Sequence, residues 1–260
     1  GGIPWIASIE KVRRIDEVTS FSGIMNGTTN FIVDAMVKED ADFDQVLAEA
    51  QALGYAERDP SADVDGVDVR NKTIITVGVA FDTACEKDIP TTGIRTLTKG
   101  DLDALRALGR GVKLLGRGVQ REGGYAAAVE PVAVPIESLE ANVPSNFNLI
   151  SLDATTVGPL KFYGQGAGML PTGNAMVQDV LDFAAGRRPR YDFSRGLAWR
   201  PELLTSDYVF RTRAELDGAE PFGEGMVVVR GLSAVKAREV FEYATSVDAT
   251  SFMAALPQEG

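Results

Sequence analysis

The hydrophobic period changes repeatedly along this chain, and that switching restricts it to an architecture in which strands and helices share one core. Residues 16–25 (DEVTSFSGIM) mix β-branched and aromatic residues and run into Asn26-Gly27, a turn pair. Directly after it, Thr28 or Thr29 can cap a helix whose apolar stripe is Phe31, Ile32, Ala35 and Met36. Asp42, with Gln45 three residues on, has the capping-box arrangement. It opens a second helix that buries Phe43, Val46, Leu47, Ala50 and Leu53 and stops at Gly54. After a polar loop through Pro60, a third helix is expected from about Val64 to Phe81, with Val67, Ile74, Ile75 and Ala80 inward. A short helix follows at 102–108. Strands at 112–119 and 124–134 flank a turn at Gly123-Gly124, and two more lie within 146–163. Residues 171–185 return to helical spacing through Val177, Val180, Leu181 and Ala184. The stretch 187–205 is basic and Pro-containing and reads as a linker. Residues 206–260 then read strand, strand, helix, strand.

The chain has 260 residues, 45% of them hydrophobic, which suits one large domain with an appendage, or two domains. Its net charge of −11 disfavours nucleic acid as a partner. The densest basic run, Arg187, Arg188, Arg190 and then Arg195, is short and reads as a solvated linker. With the single cysteine Cys85 no internal disulfide can form, which fits a reducing, cytoplasmic compartment. There is no histidine, so histidine triads and histidine metal sites are excluded, and acid–base work falls to Asp, Glu, Lys, Tyr or water. No apolar run approaches the length of about 18 residues needed to span a membrane. The N-terminus lacks a signal-peptide pattern and an initiator Met, and reads as part of something longer.

Three segments could carry chemistry. The richest is residues 53–72 (LGYAERDPSADVDGVDVRNK), with Glu57, Asp59, Asp63, Asp65 and Asp68 followed by Lys72. On a helix, Asp65, Asp68 and Lys72 would share a face. The plain alternative is a surface ion pair worth about 0.3–0.5 kcal/mol. Acids in a Pro-containing loop ahead of an apolar helix can instead line a pocket mouth and grip a substrate ammonium, with the lysine acting on a hydroxyl. In the second segment, residues 23–30, Asn26 and Thr28 are either a simple strand–turn–helix junction or polar groups at an anion-binding helix start. The third is Gly164-Gln165-Gly166-Ala167-Gly168, either a structural turn or a backbone approach to a cofactor. It is not a G-x-G-x-x-G fingerprint, because Met169 stands where a third glycine would be needed, and no other stretch supplies one.

Together with the opening Gly1-Gly2-Ile3-Pro4, the runs GIMNGTTNFI, LGYAERDPSADVDGVDVRNK and FYGQGAGMLPTGNAM resemble homoserine dehydrogenase over about residues 1–186. The resemblance implies an α+β fold, a mixed β-sheet covered by helices. Residues 1–163 would form a catalytic and dimerisation domain. Residues 164–186 would be a Gly-rich return to a Rossmann remnant, residues 187–205 a linker, and residues 206–260 a small C-terminal α+β segment loosely like an ACT regulatory domain. It implies interconversion of L-homoserine and aspartate semialdehyde with NAD or NADP. Glu57 would bind the substrate amino group, with Asp63, Asn26 and Thr28 also on the substrate. Lys72 would be the proton donor and acceptor, with Asp68 beside it in the catalytic pair. Gly166 and Gly168 would lie on the cofactor side, and the carbonyls of Gly1 and Ile3 would belong to a Na+ or K+ site. A homodimer or higher homo-oligomer is expected. The dinucleotide fingerprint and a further active-site lysine are expected upstream of residue 1, so the chain alone is expected not to turn over homoserine. The alternative is a non-catalytic dimerisation and amino-acid-binding module.

Overall fold

A computed structural model describes residues 1–85, 88–189 and 191–257. In chain order the elements are α1 (Trp5–Val12), β1 (Val18–Ile24), α2 (Gly27–Lys38), α3 (Phe43–Ala52), α4 (Ser61–Val64), α5 (Val67–Phe81), α6 (Lys99–Ala107), β2 (Arg110–Arg121) and β3 (Gly124–Pro135). They continue as β4 (Phe147–Ala154), β5 (Gly158–Gln165), α7 (Met169–Ala184), β6 (Ala198–Trp199), a 3-10 turn (Pro201–Leu203), β7 (Thr205–Arg211), β8 (Glu220–Pro221), β9 (Val227–Ser233), α8 (Ala234–Val247) and β10 (Phe252–Leu256). One mixed sheet runs β5-β4-β1-β2-β3-β10-β7-β9-β8, with β6 paired to β3. Among the strand pairs of the described residues, β3–β10 and β3–β6 are parallel and the others antiparallel. Among the described residues no helix is long and apolar enough to cross a membrane.

Alternation along the strands gives the sheet two apolar faces. Phe21, Leu114, Val129, Ile150 and Leu152 turn toward α1, α2 and α5. Leu115, Val132, Tyr208, Phe210 and Met253 turn the other way, where Ala237 and Phe241 of α8 cover the C-terminal half. The β2–β3 hairpin closes on Glu122 (φ 52°) and Gly123 (φ 74°). Two successive left-handed residues match the right-handed strand twist; the turn thus falls one residue before the expected Gly123-Gly124. α5 lies directly on β2 because Gly116 has no side chain, and a Cβ there would come within 2.2 Å of Thr73 Oγ1.

Several sequence expectations shift. The helix expected over 64–81 is two helices, interrupted at Gly66 (φ 81°), where the backbone turns left-handed. Asp65 therefore leaves the face of Asp68 and Lys72 and pairs with Arg95 instead (Nε–Oδ1 2.7 Å). Ile75, expected inward, is 56% exposed. Asp42 makes no side-chain cap bond, so the capping box is not realised, although Gly54 does turn left-handed just after α3. Leu53 is exposed. The cap of α2 is Asn26, not Thr28 or Thr29. α1 has no counterpart in the sequence reading. The apolar stripe of α7 is present, but no residue of that helix is buried. The stretch expected as a linker is tied down at its C-terminal part: Ser194 Oγ donates to Asp82 at the end of α5, the Leu197 amide donates to Thr83 Oγ1 at 3.0 Å, β6 pairs with β3, and Trp199 meets the Tyr125 ring edge-on. Within the basic run, Arg190 lies outside the described residues. The strand–strand–helix–strand tail occurs as expected, with short β8 added, and its last strand joins the main sheet.

Candidate active site

The polar cluster of interest forms where the end of β1 meets the first turn of α5. Asn26 follows β1 and is almost fully buried. Its Oδ1 accepts the Thr29 amide at 2.9 Å, which caps α2. Its Nδ2 donates to Asp63 Oδ1 at 2.7 Å and to Asp68 Oδ2 at 3.0 Å. One neutral amide thus holds two carboxylates side by side. Lys72, one turn after Asp68, donates to Asp68 Oδ2 at 2.6 Å and to the Met25 carbonyl at 2.9 Å. The lysine side chain is 49% exposed, so its ammonium is braced from beneath and open to a ligand. Asp68 also sits in the first turn of α5, where the helix dipole favours a carboxylate.

The other acids of the run separate by role. Asp59 caps the turn at Ser61, whose side chain and amide hold its carboxyl below the usual range. Asp65 is held by Arg95, which also reaches Ser61 Oγ at 3.2 Å. Glu57 is exposed, and among the described residues its carboxylate takes no part in the network. Its loop is fixed nearby, because Gln51 Nε2 donates to the Glu57 carbonyl at 3.0 Å and Thr28 Oγ1 donates to the Tyr55 carbonyl at 2.6 Å. The structure therefore brings together Asn26, Asp63, Asp68 and Lys72. It ties Thr28 to the loop and leaves Glu57 at the rim. Two carboxylates against one ammonium leave the cluster with excess negative charge, which suits a cationic group on a ligand.

Three of the residues assigned from sequence, Asn26, Thr28 and Gly166, have partners within the chain. Both amide hydrogens of Asn26 are spent on carboxylates and its oxygen on the helix cap, so Asn26 organises the cluster and has no free donor for a substrate. Thr28 likewise spends its hydroxyl hydrogen on Tyr55. At the Gly-rich turn, Gly166 N donates to Asn148 Oδ1 at 3.1 Å and its carbonyl accepts from Gly2 N at 3.1 Å. Gly166 is thus a packing residue, and the turn's free approach lies at Gly168 (φ 122°), which opens α7 with no side-chain cap. Gly1, Gly2 and Ile3 lie against this turn; a Cβ on Gly1 would come within 1.9 Å of Gly166 O.

Two residues that the sequence did not single out also support the site. Trp5 Nε1 donates to Thr76 Oγ1 at 3.1 Å, and Thr76 Oγ1 donates to the Lys72 carbonyl at 2.8 Å, so α1 braces the turn that carries the lysine. Asn148 is a buried amide next to the core residues Leu149 and Ile150 of β4, and a polar residue in that run is the only signal it gives. A surface hollow of about 500 Å3 lies elsewhere, between α6 and the β8–β9 connection, lined by Asp101, Leu108, Arg211 and Met226. It has no link to Lys72.

The model of the homoserine dehydrogenase family matches residues 4–181, and this chain belongs to that family. It is 40% identical over 183 residues to a homoserine dehydrogenase of Pseudomonas aeruginosa, covering 70% of this chain and 42% of that protein. It is 41% identical over 259 residues to one of Mycobacterium leprae, covering 87% of this chain and 58% of that protein. The chain thus spans about half the length of these relatives. The crystal structure of a homoserine dehydrogenase from Thiobacillus denitrificans superposes on all of this chain and on 69% of its own, with a TM-score of 0.84 at 28% identity.

Proposed function

We propose that this chain supplies the substrate-binding and proton-transfer part of an NAD(P)-dependent homoserine dehydrogenase, which interconverts L-homoserine and L-aspartate 4-semialdehyde. The observation that carries this reading is the Lys72 ammonium, braced by Asp68 and by the Met25 carbonyl, with half its side chain open to a ligand. In the reducing direction Lys72 donates a proton to the oxygen developing at C4. In the oxidising direction its neutral form takes the hydroxyl proton as hydride leaves C4. Asp68 orients the lysine, and Asp63 with Glu57 supplies negative charge for the substrate ammonium. Asn26 keeps the two aspartates at hydrogen-bonding distance from one donor.

NAD or NADP, when bound, accepts or gives the hydride. The residues present fit one edge of such a group: the uncapped start of α7 at Gly168 offers backbone amides and the positive end of a 16-residue helix. The 260 residues contain no dinucleotide fingerprint, so hydride transfer needs further chain to hold the cofactor. The exposed apolar side of α7, with Met176, Val177, Val180, Leu181 and Phe183, fits burial in that further domain. For a monovalent cation the fit is poor. Gly1 and Ile3 offer two carbonyls, Ile3 O already accepts from Trp5 N at 2.8 Å, and no step depends on such an ion.

In this reading residues 1–163 are the substrate and dimerisation domain and 164–186 the return to the cofactor domain. Residues 187–205 form the connection, and 206–260 a regulatory segment in a cytoplasmic homodimer. The test is turnover by the complete enzyme chain. Homoserine should yield NADH or NADPH, and 4-hydroxybutyrate, which lacks the amino group, should react far more slowly. No turnover of homoserine with either nicotinamide, or equal turnover of both alcohols, overturns the reading.

A further inference from the structure

Asn148 is 4% exposed, in a strand whose neighbours Leu149, Ile150 and Leu152 are core residues. A buried amide persists only where its donors and acceptors are matched. Here Nδ2 donates to the Ile24 carbonyl at 2.8 Å and Oδ1 accepts the Gly166 amide at 3.1 Å. The two partners belong to different segments, the end of β1 and the turn ahead of α7. Ile24 is the last residue of β1; the next residue, Met25, gives Lys72 its carbonyl acceptor, and the one after, Asn26, holds Asp63 and Asp68. Gly166 lies between β5 and α7 and receives the N-terminal segment through Gly2 N. The fit is tight, because a Cβ on Gly166 would stand 2.5 Å from Asn148 Oδ1. The main chain of Asn148 is meanwhile committed to the ladder, opposite Gly164.

We propose that Asn148 is a positioning residue that ties the backbone anchoring Lys72 to the Gly-rich turn at the start of α7, keeping the proton-transfer side and the cofactor side of the site in register. The inference rests on the dehydrogenase reading above. Its physical basis is that hydride and proton transfer require both sides at fixed separation, and a misplacement of about 1 Å costs roughly 100-fold in rate. Asn148 touches no substrate, so its loss acts through Met25 and Gly166.

The experiment compares Asn148→Leu and Asn148→Asp with the unchanged protein. The complete enzyme is assayed for kcat and both KM values, and the 260-residue chain is followed by NMR at the Gly166 amide and the Lys72 side chain. Asn148→Leu loses both bonds. It should lower kcat by about 100-fold with KM little changed, speed exchange of the Gly166 amide, and shift the Lys72 signals. Asn148→Asp, assayed at alkaline pH where the side chain ionises, keeps an acceptor for Gly166 but sets an oxygen against the Ile24 carbonyl. Gly166 should stay protected while kcat falls and Lys72 shifts, a split that general loosening does not produce. Should Asn148→Leu fail to fold, the Asn148→Asp split decides alone. Thr83→Val removes a buried hydroxyl remote from the site and should leave kcat unchanged. Wild-type kcat in a folded Asn148 variant, or unmoved Lys72 signals, overturns the proposal. If the unsubstituted enzyme fails to turn over homoserine, the dehydrogenase reading falls, and the NMR coupling between Gly166 and Lys72 is judged by itself.

Discussion

Replacing Lys72 by Met keeps the aliphatic stem and removes only the ammonium. The structure sets what this costs the fold. The Asp68–Lys72 pair is spaced i,i+4 with side chains 33% and 49% exposed, so it contributes about 0.3–0.5 kcal/mol. The bond to the Met25 carbonyl adds roughly 1 kcal/mol. Neither partner is stranded, because Asp68 keeps its bond from Asn26 and the open side of the cluster admits water. The expected loss is therefore about 1–2 kcal/mol, a shift of a few degrees in unfolding midpoint for a chain this size. Catalysis should respond on a different scale. Losing the group that moves the proton lowers kcat by about 10²-fold or more, roughly 2.7 kcal/mol or more of barrier. Steady-state kinetics of the complete enzyme with homoserine and each nicotinamide, beside thermal unfolding of the same variant, measures both. A surface ion pair predicts the small stability change and untouched kinetics. Near-wild-type kcat for Lys72→Met ends the assignment of proton transfer to this lysine.

Glu57→Ala should raise KM for homoserine and leave kcat nearly unchanged, since it removes an ammonium partner present in both ground and transition states; a pure kcat defect contradicts this. Burial lowers the Lys113 ammonium from 10.5 to about 8, with Asp34 opposing and Lys38 assisting, while Asn30 Oδ1 and the Val143 carbonyl accept from it. The unfolded chain then binds the extra proton between pH 8 and 10.5, so stability relative to Lys113→Met should rise across that window by about 3 kcal/mol; denaturant titrations at pH 7.5 and 10 that show no such gain refute it. Arg211→Ala leaves Asp101, whose side chain is 0% exposed, without its cation, and should cost about 3 kcal/mol or more in unfolding free energy. Sedimentation at micromolar concentration should show a two-fold dimer; a 27.8 kDa species alone counts against one.

Local signals in the sequence reached as far as local interactions do. The elements around the site are marked by turn residues and periodicity, so β1 and α2 lie where the pattern puts them, and α5 and the β2–β3 hairpin differ from it only at their ends. The pairing of Asp68 with Lys72 follows from helical spacing alone. What failed was decided across long sequence separations. Asp65 reads as a neighbour of Asp68 until Arg95, 30 residues away, claims it and Gly66 turns the chain. Whether Asn26 and Thr28 serve a plain junction or an anion-binding helix start is open in the sequence, because their partners Asp63, Asp68 and Tyr55 lie 27 to 42 residues further on. Asn148 offers no pattern, because its two partners lie 124 residues before it and 18 after. α1 was missed because a short helix behind Pro4 shows only Trp5 and Ile9 as fully buried positions.

The C-terminal segment reads in sequence as an appendage, yet physically it completes the sheet. Every residue of β3 but Pro135 is buried. One edge of that strand pairs with β2 along its whole length; the other is covered by β10 and β6. Without residues 191–257 that second edge, outside Val129 and its bonds to Pro90 and Thr92, would present unpaired backbone groups on an apolar strand, the kind of edge that recruits other chains. The junction also carries a buried polar cluster: Arg117 pairs with Glu130, and the Tyr208 hydroxyl of β7 donates to the same carboxylate at 3.2 Å. Burial and the Glu130 charge push the Tyr208 phenol far up, so it remains a neutral donor. Such a cluster adds little net stability, because desolvation offsets attraction, but breaking it strands a charge in the core. That asymmetry penalises any sliding of β7 and β10 along β3.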